Sequence, residues 1–300
     1  MKRIVPELLP PSEDGVFKTL LTHPDAKSVL RDVISSILQI PVINVEVRNS
    51  ALPISDFSEK REEFDVNCEI DGGKQADVEM QSNSMKGDSI SSGHKNIRSR
   101  AIYNLCDLHA SQEGRGVSYE NLMQSFQITF CGYTVFPERD GFLHRFSFRD
   151  ANGSELLDSA GIVFVELTKL GDVMKKPVGE MTGAELWALF FSIGGEPRHR
   201  ALLEKMIEVR EEIKVATELL TNISRDPNER ARFMSRRRFI MDREHDRAVA
   251  RDEGKKEGKK EGKKEGKKEM IKKLFALGVP TETILEASGL PLGEIEKLRD

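Results

Sequence analysis

Between Glu63 and Gln81, acidic residues alternate with apolar ones on either side of a short glycine turn: Glu63, Asp65 and Glu69 precede Asp71-Gly72-Gly73, and Asp77 and Glu79 follow it. A three-residue loop, with Gly73 free to take the left-handed conformation, pairs Asp65 with Glu79 and Glu63 with Gln81 across two antiparallel strands. Asp65 and Glu79 then share one face. The same register sends Val66, Cys68, Ile70, Ala76, Val78 and Met80 to the other face, an apolar set suited to packing on helices. Carboxylates directly opposite one another repel and raise each other's pKa unless a cation or solvent relieves them. The acidic face therefore has two readings: the solvated outer side of an amphipathic hairpin, or a seat for a hard cation. Mg²⁺ prefers oxygen ligands and often takes only one or two carboxylates, with phosphate oxygens completing the set.

The elements that must position this hairpin follow from apolar periodicity. Asp14 to Leu21 starts a helical pattern, and Val29-Leu30, Val33-Ile34 and Ile37-Leu38 repeat at helical spacing until Pro41 ends it. Strand-like alternation covers Val42 to Ile54 and Phe64 to Met80, and a long helix is predicted from Lys95 to Glu113 on Ile97, Ala101, Ile102, Leu105 and Leu108. Further strands are predicted in Phe126 to Phe136, Leu143 to Phe148 and Ile162 to Leu167. Helices, strands, a helix and strands in that order make a mixed α/β core, placed at residues 1–182.

Residues 183–253 read as an arginine-rich helical extension, densest at Arg236-Arg237-Arg238, with Trp187 in helix core. Residues 254–269 repeat Gly-Lys-Lys-Glu four times, a composition that cannot build a core and reads as a linker or exposed arm. Its lysines outnumber its glutamates, so it is locally basic, and Glu257 and Lys260 sit at a helix-supporting spacing. Residues 270–300 form a small helix-turn-helix-like tail broken at Gly278 and Gly289.

Composition bounds the function. A chain of 300 residues can bury one sizeable core and an appendage, and a formal net charge of −4 means that any nucleic-acid surface must be local. Cys68, Cys106 and Cys131 are widely spaced and odd in number, which excludes a disulfide framework and a CxxC metal clip and fits a reducing cytoplasm. The six histidines show no metal-ligand spacing. No stretch approaches the roughly 20 apolar residues of a membrane span, and the first residues lack the apolar core of a signal peptide.

Taken in order, Asp14-x-x-Phe17-Lys18 on a helix, Asp65 on a strand, Glu79-Met80-Gln81 after a turn and Arg100-x-x-Tyr103 on the next helix resemble the Rpn family of recombination-promoting nucleases, also described as PD-(D/E)XK nuclease family transposases. The resemblance covers roughly residues 12–170 and continues through Tyr119-x-x-Leu122 into the Gln127-Ile128-Thr129 strand. It implies a restriction-endonuclease-like α/β fold, a mixed sheet flanked by helices with a helical C-terminal extension. It also implies hydrolysis of DNA phosphodiester bonds with Mg²⁺ or another divalent cation such as Mn²⁺ or Ca²⁺. Asp65 and Glu79 then match the two motif carboxylates and are the expected metal ligands. The third motif position, normally lysine, is Gln81, which can orient a water but carries no charge. Lys18, one turn after Asp14, is the candidate for the missing cation, and Asp14 is either a further metal-side carboxylate or simply an N-cap.

Arg98, Arg100 and Tyr103 are candidate DNA-backbone contacts, arginine being suited to bidentate phosphate recognition. Cutting both strands calls for two sites, so a homodimer is compatible with this reading. Two alternatives remain: a catalytically degraded nuclease-fold module that binds nucleic acid or protein, and a regulator acting through the C-terminal helices, whose nearly balanced charge disfavours DNA reading.

Overall fold

The computed structural model describes residues 8–48, 65–82, 90–112 and 118–298; the Glu63–Gln81 pairing and the strand expected beyond residue 48 lie outside them in part. Two helices, α1 (Asp14–Leu21) and α2 (Lys27–Leu38), precede strands β1 (Val45–Val47), β2 (Val66–Ile70) and β3 (Lys74–Gln81). Helix α3 (Ile90–Ala110) then connects to β4 (Ser125–Cys131), β5 (Leu143–Ser147) and β6 (Ala160–Glu166).

The six strands form one mixed sheet in the order β1-β2-β3-β4-β6-β5, parallel across β3/β4 and β4/β6 and antiparallel elsewhere. A parallel β3/β4 pair requires a crossover, and α3 supplies it. The expected mixed sheet flanked by helices is thus present, and β3 lies in its interior with a partner on each side.

One face of the sheet buries Val66, Cys68, Ala76, Val78, Met80, Ile128 and Phe130 against Phe17, Leu20, Val33 and Ile37 of α1 and α2. The helices after residue 182 complete this same core. Helix α4 (Gly183–Ile193) opens with a capping box between Thr182 and Glu185 and buries Trp187, Phe190 and Phe191. Phe191 meets both Phe17 and Phe130, with ring centroids 5.0 and 4.9 Å apart. Helices α5 (Arg200–Val209) and α6 (Glu211–Arg225) add Leu203, Met206, Ile213 and Leu220. The boundary expected at residue 182 therefore falls inside a single compact unit that ends at Arg236. The apolar faces of the helices at 183–225 pack on α1, α2 and one another within the same buried cluster as the sheet, so they are part of that core.

The second compact unit, Arg237–Asp300, contains most of α7 (Pro227–Ala276), then α8 (Thr281–Ser288) and α9 (Leu292–Glu296). The Gly-Lys-Lys-Glu repeat lies within α7 and every residue of it is exposed. Three of its four positions are good helix formers, which outweighs the recurring glycine. The tail closes on a small cluster of Ile271, Ile284 and Ile295, with Gly289 in the left-handed conformation ending α8. No described helix is long and apolar enough to cross a membrane.

Candidate functional site

The hairpin register follows from its turn. Asp71, Gly72 and Gly73 join β2 to β3, and both glycines take positive φ, 72° and 91°, where only Gly73 was expected to. The Asp71 carboxylate accepts from the backbone N–H groups of Ile43 and Asn44 at 2.8 and 2.7 Å, anchoring the turn to the segment before β1. Val66 pairs with Val78 and Asn67 with Asp77, so one residue further out Asp65 stands across from Glu79. The backbone N–H of Met80 donates to Asp65 Oδ2 at 3.0 Å and holds that carboxylate against β3.

The acidic side of β3 is not a solvated outer surface. Parallel pairing with β4 sets Asp77 beside Gln127, Glu79 beside Thr129 and Gln81 beside Cys131. Helix α3 covers this side through Ile97, Ala101 and Leu105, which pack with Cys131, Phe164 and Phe136. Asp77 is 0 % exposed and Glu79 1 %. Glu79 Oε1 accepts from Asn104 Nδ2 at 2.7 Å and from Arg100 Nη2 at 3.3 Å, so two residues one helical turn apart on α3 fix its orientation.

Burial dominates the electrostatics. Loss of solvent, then the neighbouring Glu79 carboxylate, pushes the half-buried Asp65 up to about 7; the Met80 N–H and Lys18 oppose this. Burial and Glu79 likewise hold Asp77 well above the usual carboxylate range, with Gln127 and Arg100 pulling the other way. Neither Asp77 oxygen has a well-formed hydrogen bond, and the same holds for the Gln127 amide and the Thr129 hydroxyl. Burial is also the main reason the Tyr133 phenol, half-buried near Arg100 and Glu79, is raised. A buried carboxylate cluster of this kind is costly without a cation, and its hard oxygen donors suit Mg²⁺ or Mn²⁺. Among the described residues, no group of three or more His, Cys, Asp or Glu side chains converges as a ready-made metal cage.

Helix α1 packs against β3 and brings Asp14 and Lys18 within electrostatic reach of Asp65, the first raising and the second lowering its pKa. Asp14 is not an N-cap. Glu13 occupies that position without a side-chain cap, and Asp14 Oδ2 instead accepts from Arg236 Nη2 at 2.8 Å. Gln81 ends β3 on the same side as Glu79, half-buried.

The proposed DNA-contact trio separates. Arg98 donates to the carbonyl of Val135 at 2.6 Å, lies 4.2 Å over the Phe136 ring and pairs with Glu138 at 3.4 Å, so its guanidinium braces the loop after β4. Arg100 is engaged by Glu79. Tyr103 is 61 % exposed. Sequence reasoning passed over Asn104, and it named Gln127, Thr129, Arg236 and Asp77 without giving them a role at the site. A signal existed for some of them: Asn104 interrupts the apolar face of α3, and Gln127 and Thr129 alternate with Phe126, Ile128 and Phe130.

The fold is a mixed α/β sheet whose interior strand carries the buried carboxylates Asp77 and Glu79 under a helix that supplies Arg100 and Asn104 to Glu79. The family model described as PD-(D/E)XK nuclease family transposase matches residues 11–250, and the chain belongs to that family. The match reaches well beyond residue 170 and takes in α4 to α6 and the start of α7. Neither individual curated proteins nor solved structures gave a match.

Proposed function

We propose that this chain is a divalent-metal-dependent DNA endonuclease acting in recombination or mobile-element processes. The observation that carries the reading is Asp65 across from buried Glu79, with Asp14 and Lys18 of α1 within electrostatic reach of Asp65. Asp65 and Glu79 would hold the ion. When bound, it supplies Lewis acidity to the scissile phosphate and to a water. Asn104 and Arg100 orient Glu79, as partners behind a metal ligand generally do. Gln81 positions the water through its amide, and Lys18 contributes the positive charge that stabilises the phosphoryl group in the transition state. The test is nicking of supercoiled plasmid with Mg²⁺ or Mn²⁺, and purified protein that never nicks would end the proposal.

Two outcomes follow at the same site. Lys18→Ala removes a cation that lowers Asp65, so nicking is expected to fall about tenfold or more and the alkaline rise of the pH–rate profile to move to higher pH. An unchanged profile would clear Lys18 of this role. Asn104→Ala is expected to weaken Mn²⁺ binding about 10- to 100-fold by calorimetry while the protein stays folded. Wild-type affinity in that variant would leave Asn104 a packing residue only.

One observation favours a second reading: Gln81 stands where the family pattern has lysine. A degraded nuclease-fold module would bind DNA without taking up a divalent ion at Asp65 and Glu79, which the same calorimetry distinguishes.

A further inference from the structure

Of the backbone contacts expected on α3, Arg98 is held by the loop after β4 and Arg100 by Glu79, while Tyr103 is exposed but carries no positive charge for a phosphate. A net charge of −4 also leaves little general attraction for a polyanion, so a DNA surface needs arginines or lysines placed at the site itself.

One such arginine is present. Arg236 is close to Asp14 in space although 222 residues away in sequence. The first turns of α7 dock on the core through the partly buried Phe233, and Arg236 follows one turn later on the same helical face. Its guanidinium lies over Gly15, where a Cβ would meet Arg236 Nη1 at 3.6 Å, and reaches Asp14 at the start of α1. Asp14 and Lys18 in turn act on Asp65. Arg236 thus stands at the outer end of a short series of charged groups that leads to the carboxylate pair.

The Arg236–Asp14 pair is solvent-accessible, with side chains 47 % and 29 % exposed. Exposed ion pairs contribute little to stability, so this contact is readily exchanged. A phosphate diester offers the same guanidinium a charge-assisted, bidentate partner. We infer that Arg236 is a DNA-backbone contact at the mouth of the carboxylate site, its guanidinium exchanging Asp14 for a phosphate oxygen when duplex DNA docks. This inference rests on the nuclease reading above. It assigns phosphate contact to the start of α7, within the first compact unit, in place of α3.

The experiment is fluorescence anisotropy of labelled duplex DNA in EDTA, where no cleavage intervenes, from about 50 to about 200 mM salt. Wild type, Arg236→Ala, Arg236→Lys and a distant control, Arg149→Ala, are compared at matched folding by melting temperature. The expected result is about a tenfold weaker Kd for Arg236→Ala at the lower salt. Its log–log salt slope should be shallower by about 0.9, the loss of one phosphate contact. Arg236→Lys should keep the slope, and Arg149→Ala should match wild type. A wild-type Kd and slope in Arg236→Ala, or an affinity loss with the slope intact, overturns the inference while the nuclease reading stands. A wild type that binds no DNA in EDTA also overturns the inference, whereas the nuclease reading falls only if the unmutated protein fails to nick plasmid with Mg²⁺ or Mn²⁺.

Discussion

Asp65→Asn is expected to abolish metal-dependent nicking and, in metal-free buffer near pH 8, to raise the melting temperature. Both effects come from one cause. The folded-state pKa of Asp65 is raised from 3.8 to about 7, so the native protein binds more protons than the unfolded chain between those values. Stability without metal therefore falls as pH climbs through that window, and the cost is fully present above about 7. Asparagine keeps an oxygen for the Met80 N–H but carries no charge, so the cost disappears. The exposure that Asp65 retains screens part of it; if about 1–2 kcal/mol remains, the gain is about 3–6 °C for a unit of this size. Near pH 4 wild type and variant should melt together. Activity moves the opposite way, by about 10²–10³-fold or more, because the site loses a charged oxygen that holds the ion. Melting scans in EDTA at both pH values beside a plasmid assay check the pair of effects, and a variant that nicks normally or gains nothing at high pH would sink the assignment.

The second large effect lies away from the site. Asp32 on α2 accepts two 2.6 Å hydrogen bonds from the guanidinium of Arg210, which precedes α6, and a third at 2.8 Å from the Trp187 indole on α4. Arg210 also reaches Ser36, and the pair sits partly buried where three helices meet. Arg210→Ala leaves the Asp32 charge with only the indole N–H. Removing one partner of a buried pair costs about 3–5 kcal/mol, reduced here to about 2–4 by partial exposure. The melting temperature should drop by roughly 5–12 °C. Denaturant titration of Arg210→Ala, Asp32→Ala and the double variant measures the coupling; a loss under about 0.5 kcal/mol would show that α4 and α6 do not depend on this joint.

The hairpin was open to sequence reasoning because its information is local. Loop length and two glycines set the Asp65–Glu79 pairing, and period-two alternation separated the acidic from the apolar side. The helical phases of α1, α2 and the tail were readable for the same reason, since apolar spacing acts over a few residues. Helix α3 was recognised, yet the task of Asn104 was not, because a polar residue on an apolar face shows its purpose only when the strand beneath it is known.

What the sequence by itself determined is the order of elements, the register of the hairpin and the two carboxylates brought together on its acidic face. Tertiary structure alone decided that this face is buried under α3, that Arg98 braces a loop, that residues 183–225 fill the central core and that Arg236 meets Asp14. The physical reason is distance along the chain. Turn chemistry and side-chain periodicity are settled by neighbours, whereas burial and a contact across 222 residues exist only after parallel strands and helices have closed around a shared core.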